Sequence, residues 1–377
     1  MCALFLLTFI VMWYILFLGD YMNGLEYRIL NITENEYNIL KENLYCEHNN
    51  IDTECDIKEN ILRFKPDLHC DSDEYKEIYK DLLGLKYIGS VTYLDEYFLF
   101  DFPNRTFEER KEFVGTDEYL SAAKKLKNEI IQENPTLKDK YTAYLTLKPY
   151  YDRDAVLLKD FGDYNTFKEF SDNHPIFLLK KLTGSLGKNI KKIDLTDKNI
   201  TAKRVFIESI SLGQWIAEEI IKQSESMAIF HPASVNTVRI TTYVNNGKIT
   251  KLFAMFRMGS GDNVVDNASN GGICASVDLE SGIIESNGYK KSGEIIEIHP
   301  DSGIKIKGFQ IPRWNELLQL VDEVATKVEH YNYIGWDFAL TDNGWVIVEG
   351  NSRPNINSIQ MCSGRGLRKV LENTIGL

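Results

Sequence analysis

Apolar and polar positions change rhythm part-way along the chain. From Met22 to about Pro135 the sequence is polar and mixed. Asn35–Leu44 and Asp117–Gln132 carry apolar residues at helical spacing, whereas Tyr87–Phe100 reads as strand. After Pro135 short apolar runs alternate with amphipathic ones. Ala155–Leu158 and Ile176–Leu179 read as strands, with Tyr164–Ser171 a helix between them. Ser211–Ile221 passes from amphipathic to apolar, and Val235–Val244 alternates as a strand. Asn245-Asn246-Gly247 then supplies turn chemistry before a second strand, Lys248–Met258. Ile311–His330 opens with Ile-Pro-Arg-Trp and has the spacing of a helix. One more hairpin, residues 335–351, closes the pattern. These elements predict a mixed N-terminal region over 22–135 and an α+β domain over 136–377.

The first 21 residues stand apart. No charge lies between Cys2 and Gly19, and Leu4–Leu18 is almost wholly apolar. A run of about 18–20 such residues just suffices to span a bilayer as a helix. It lacks the basic start and small-residue cleavage site of a signal peptide. Arg28 and Lys41 follow it and no basic residue precedes it, so a spanning segment would leave the body in the cytoplasm. The alternative expectation is a start at Met22. Six cysteines are scattered, which suits a reducing compartment better than a disulfide framework. Cys46, His48, Cys55, His69 and Cys70 lack any CxxC pair, and they read as scattered residues rather than a zinc site. The net charge of −12 argues against nucleic acid or an anionic membrane surface as partner, since both need a basic field.

The closing hairpin carries the strongest chemistry. Residues 335–351 read GWDFALTDNGWVIVEGN, two nearly uncharged strands around Asp342-Asn343-Gly344. A three-residue loop places Thr341 opposite Trp345 and, stepping outward, Asp337 opposite Glu349; Asn351 shares the face of Glu349. Like charges directly opposed in a sheet are destabilising unless a cation lies between them. Asp337, Glu349 and Asn351 offer only oxygen, which favours magnesium. The geometry depends on register, because an Asn343-Gly344 two-residue turn would put the two acids on opposite faces.

A second element is IFLLKKLTGSLGKNI, residues 176–190. An apolar strand delivers Lys180 and Lys181 to a loop with Gly184, Ser185 and Gly187. Glycines let backbone N–H groups approach phosphate, and a lysine adds a point charge. The segment lacks the GxxxxGK[ST] of a Walker loop. WIAEEIIKQ, residues 215–223, is a strand-like run interrupted by Glu218 and Glu219.

In this order the pieces resemble the ATP-grasp superfamily, and within it the sugar-transfer-associated ATP-grasp proteins. The resemblance covers roughly residues 136–377. It rests on Lys140, KKLTGSLG, AEEIIKQ, HPASVNTVRI at 231–240, FRMGSGDNVVDNASNGG at 256–272, GWDFAL at 335–340 and VEGNSRPN at 348–355. It implies an ATP site between two α+β subdomains. Lys140 and Lys180 would reach the phosphates under the Gly184–Gly187 loop. Glu218, Glu219, Ile220 and Ile221 would form the hinge that holds adenine through backbone groups. Asp337, Glu349 and Asn351 would ligate one or two magnesium ions. Arg239 and Arg257 would face the transferred phosphoryl group, with Asn236, Asn267, Gly271 and Gly272 lining the acceptor side.

Departures include Lys180-Lys181 where Lys-Pro is frequent, and Asn355 after Pro354 where glycine is frequent. No nucleophilic Ser, Cys or His is required. His231 and His299 precede prolines and read as turn residues, and Cys274 and Cys362 as packing. The implied reaction is ligation of a small carboxylate or sugar-derived substrate through an acyl-phosphate, in a glycan-related context. A kinase acting on a hydroxyl and a non-catalytic nucleotide binder are the alternatives.

Overall fold

The computed structural model describes residues 28–48, 54–133, 136–137, 139–182, 190–261, 271–328 and 331–377. The hydrophobic segment 1–21 lies outside them, as do the side chains of Cys46, His48 and Cys55. Among the described residues no helix is long and apolar enough to cross a membrane.

The chain divides into two compact units, Met1–Leu94 and Asp95–Leu377. The first contains α1 (Glu34–His48), α2 (Glu54–Phe64) and α3 (Asp73–Tyr87). A reciprocal cap starts α1: Glu36 N donates to Thr33 Oγ1 at 3.3 Å, and Thr33 N donates to Glu36 Oε2 at 2.8 Å. Ser72 starts α3 by accepting from Tyr75 N at 3.2 Å. The Tyr37 hydroxyl, on α1, donates to the Asp81 carboxylate on α3 at 2.8 Å and pins the two helices.

The strand expected over Tyr87–Phe100 is instead the end of α3, a turn, and a short helix α4 (Asp95–Leu99). Tyr97 and Phe100 sit three residues apart, the spacing of one helical face, and pack edge-on or tilted against Phe102 and Phe113. The buried Glu96 carboxylate accepts from Thr116 N at 3.0 Å and from Asn357 Nδ2 at 2.9 Å. Thr116 opens α5 (Thr116–Glu133). This is why the second unit begins at Asp95, well before the expected boundary at 135. Residues 95–123 lie on the C-terminal helices.

The rest of that unit holds two antiparallel sheets. α6 (Lys140–Leu147) leads to β1 (Ala155–Leu158), α7 (Tyr164–Asn173), β2 (Ile176–Lys181), β3 (Ile190–Asp194), α8 (Ala202–Ser211) and β4 (Trp215–Glu219). The strands order as β1-β4-β2-β3. Phe167 and Phe170 of α7 and Phe206 of α8 bury against Phe177, Leu179 and Trp215 on one face.

The larger sheet contains β5 (Thr237–Asn245), β6 (Lys248–Met258), β7 (Ile273–Val277), β8 (Gly288–Lys290), β9 (Ile295–Ile296), β10 (Tyr333–Leu340) and β11 (Trp345–Asn351). Its order is β11-β10-β5-β6-β7-β8-β9. The predicted turn between β5 and β6 is present, with Asn246 at φ 50° and Gly247 at φ 77°, the two left-handed positions of a two-residue hairpin. Ile240, Phe256, Trp336, Phe338 and Ile347 fill the core face, with Leu317, Val321 and Val324 of α9 (Trp314–Ala325). The opposite face is apolar where Met255, Cys274 and Tyr333 meet α5, α10 (Asn357–Ser363) and α11 (Arg368–Glu372). Farther along, that face turns polar with Arg239, Arg257, Asp337 and Glu349.

Candidate nucleotide and metal site

The small sheet contributes a buried ion cluster. Lys180 on β2 and Glu218 on β4 lie on adjacent strands, and Lys180 Nζ donates to Glu218 Oε2 at 2.8 Å. Arg153, in the turn before β1, donates to the same oxygen from Nε at 3.2 Å and from Nη2 at 3.1 Å. Burial would raise the Glu218 pKa, but Lys180 and Arg153 outweigh it and hold the carboxyl at about 2. The cluster is therefore one buried carboxylate held by two cations. Lys140 begins α6, where its N–H donates to Leu182 O at 3.3 Å. Burial lowers its pKa, Glu349 and Glu218 act to raise it, and Lys180 lowers it, so these four groups share one electrostatic neighbourhood.

The large sheet contributes the acidic side. Asp337 lies directly opposite Arg239 on β5 and directly opposite Glu349 on β11. Arg239 grips both carboxylate oxygens of Asp337 at 2.6 Å, and Arg257 Nη1 adds a contact to Oδ2 at 2.8 Å. Against the upward push of complete burial, these two guanidinium groups lower the Asp337 pKa. Asn351 Nδ2 donates to Glu349 Oε1 at 3.1 Å.

The facing of Asp337 and Glu349 was expected, but the route to it differs. Thr341 and Gly344 close the turn with reciprocal backbone hydrogen bonds, Thr341 N to Gly344 O at 2.9 Å and Gly344 N to Thr341 O at 3.2 Å. Leu340, not Thr341, is therefore the partner of Trp345. Continued unbroken, that register would put Asp337 opposite Val348. A bulge after Phe338↔Ile347 leaves Val348 outside the pairing, and Asp337 meets Glu349.

Several expected residues have other placements. Glu218 and Glu219 belong to a strand flanked on both sides, Glu218 opposite Ala155 and Leu178, so the backbone leaves the ladder only at Ile220 and Ile221. Asn236 differs from the expectation of a substrate contact. It is fully buried, its Nδ2 donating to Met227 O at 2.9 Å and its Oδ1 accepting from Gly259 N at 3.1 Å. It holds the entry to β5 against the end of β6. His231 and His299 are in the same anchor: His231 Nε2 lies 2.7 Å from Gly261 O and His299 Nε2 lies 2.8 Å from Gly259 O. Burial lowers the His299 pKa. Gly271 and Gly272 lead into β7, Gly271 at φ 87°. Asn267, Gly184, Ser185 and Gly187 lie outside the described residues.

Asp154, His174 and Glu219 also bring potential ligand atoms within 4.8 Å of one another. There His174 presents Nε2 to Asp154 at 3.2 Å and Nδ1 to Glu219 at 3.9 Å, the geometry of an ion-pair bridge. By contrast, Asp337, Glu349 and Asn351 form an all-oxygen donor set, which suits a hard cation such as magnesium.

Comparison with known proteins adds to this geometry. The sugar-transfer associated ATP-grasp family matches residues 144–375. No curated protein matches the chain in sequence. Solved structures similar to it include the ATP-grasp ligase PsnB complexed with minimal precursor, with 10% identity and a TM-score of 0.37 over 66% of this chain and 58% of that one. D-alanyl-alanine synthetase A from Vibrio cholerae shares 12% identity with a TM-score of 0.39, covering 64% of this chain and 66% of that one. N5-carboxyaminoimidazole synthetase from Staphylococcus aureus, complexed with ADP, shares 14% identity with a TM-score of 0.36, covering 61% and 52%. The matched region thus spans less than two thirds of each of these chains.

Proposed function

Because the chain belongs to the sugar-transfer associated ATP-grasp family, we propose that it is a magnesium-ATP-dependent ligase that activates a substrate carboxylate. The observation that carries this reading is the meeting of two lysines, Lys140 and Lys180, with an opposed pair of carboxylates, Asp337 and Glu349. Phosphoryl transfer asks the protein mainly to position reactants and neutralise charge, and these residue types do both. Asp337, Glu349 and Asn351 would hold magnesium, which supplies charge neutralisation at the phosphates. Lys140 and Lys180 would take phosphate oxygens. Ile220 and Ile221, the first residues past the ladder, offer backbone groups to adenine.

In the proposed reaction an oxygen of the substrate carboxylate attacks the γ-phosphorus. The bond from that phosphorus to the β–γ bridging oxygen breaks, and ADP leaves with its electron pair. Arg239 and Arg257 stand beside Asp337, where they would meet the negative charge of the acyl-phosphate. An amine or other nucleophile then attacks the acyl carbon, phosphate departs, and the nucleophile's proton passes to solvent. The acceptor is a small carboxylate or sugar-derived molecule, and the reaction belongs where ATP is, in the cytoplasm.

The test is ATP turnover by the full chain with magnesium and panels of sugar acids and amino acids, beside Glu349→Ala. Substrate-dependent ADP and free phosphate, lost by about 10–100-fold or more in the variant, is the expected result. ADP with the phosphate retained on the acceptor would replace the ligase by a kinase. Turnover that survives in Glu349→Ala would refute the metal assignment.

A further inference from the structure

Arg153 joins the two halves of the site, yet no motif contains it. Its Nη1 donates to Ile347 O at 2.6 Å and its Nη2 to Val348 O at 3.2 Å, both on β11. The same guanidinium holds Glu218 on β4, and Glu218 holds Lys180. It is buried and lies over the Tyr151 ring at 4.4 Å, so the fork is fixed in direction.

The two carbonyls it engages flank the register shift: Ile347 is the last paired residue before it, and Val348 is the residue the bulge leaves out. A bulge leaves one residue outside the ladder, and a carbonyl there that is shielded from water needs a donor from elsewhere. Without the bulge Glu349 would move to the other face of the sheet, away from Asp337. We propose that Arg153 is a positioning residue for the metal site: it fixes the bulge that places Glu349 opposite Asp337. Through Glu218 it ties that register to Lys180. The inference rests on the reading of Asp337 and Glu349 as metal ligands.

The experiment compares the full-length wild type with Arg153→Met, Arg153→Lys and Glu349→Gln. Manganese binding is followed by electron paramagnetic resonance in the presence of ADP, and metal-free ADP binding by calorimetry in chelator. Loss of a group that orients a metal ligand typically weakens metal binding by roughly 10–100-fold. Arg153→Met should weaken manganese binding by about tenfold or more while metal-free ADP affinity changes by less than about threefold. Arg153→Lys, with one point donor in place of a fork, should fall between. Equal losses of metal and ADP, or wild-type manganese affinity in Arg153→Met, would overturn the proposal.

If Arg153→Met does not fold, Arg153→Lys decides by the same two measurements. Unfolding of both variants would assign Arg153 to stability alone and overturn the proposal too. Were Glu349→Gln to bind manganese like the wild type, the metal reading itself would fall. That result is distinguishable from a failure confined to Arg153.

Discussion

Replacing Glu218 by Gln removes one charge and almost no volume, so it isolates the electrostatics of the cluster. Lys180 and Arg153 would then share a neutral amide in a buried place. Removing one partner of a buried ion pair costs about 3–5 kcal/mol. The titration of Glu218 gives an independent figure. Its carboxyl moves from 4.5 to about 2 on folding, which corresponds to about 3 kcal/mol at neutral pH. The folded pKa is the lower one, so the stabilisation is complete above 4.5 and fades as pH falls toward 2. Urea unfolding of the wild type and Glu218→Gln, followed by tryptophan fluorescence, measures it. Trp215, Trp314, Trp336 and Trp345 all lie in the second unit. At pH 7 the variant should be less stable by about 3 kcal/mol, and at pH 3.5 the gap should narrow to about 2 kcal/mol. A gap that is absent at pH 7, or that widens on acidification, would refute the reasoning.

Two further substitutions probe the neighbouring structure. Asp337→Asn leaves Arg239 and Arg257 without their buried counter-ion, and should cost about 3–5 kcal/mol in urea unfolding as well as abolish magnesium-dependent nucleotide binding by calorimetry. Gly366→Ala would set a Cβ 2.1 Å from Glu112 O and 2.2 Å from its carbonyl carbon, both backbone atoms that cannot swing aside. It should lower stability by about 1–3 kcal/mol in thermal unfolding by disturbing the neighbouring Arg368–Glu118 pair, and an unchanged midpoint would count against that packing.

The elements that were legible in the sequence are those whose pattern is local. Lys248–Met258 alternates and follows an Asn-Gly turn, so its strand was readable end to end. Tyr87–Phe100 departs from the expected strand because what fixes its helical part lies outside the segment. Tyr97 and Phe100 pack against Phe102 and Phe113, and Glu96 is held by Thr116 and Asn357. Nothing in the local rhythm reports those contacts. The same distance hides the boundary of the second unit: the Glu118–Arg368 pair joins residues 250 positions apart. Asn236 carried the right neighbours in sequence for a substrate contact, but its hydrogen bonds turn inward.

The hairpin pairs Asp337 with Glu349, as the sequence predicts, through a different turn. Counting outward from an assumed three-residue loop put Thr341 opposite Trp345 and Asp337 opposite Glu349. In the structure the turn is one residue out of that count, and the unpaired Val348 brings the register back. A bulge has no compositional signature in Val346-Ile347-Val348, three apolar residues suited to any strand. What stabilises it is Arg153, 194 residues away from Ile347 in sequence and on the other side of the site. The facing of the two acids is therefore a property of both sheets together. A hairpin lifted from this chain, without Arg153, should return to the regular register and lose the opposed pair.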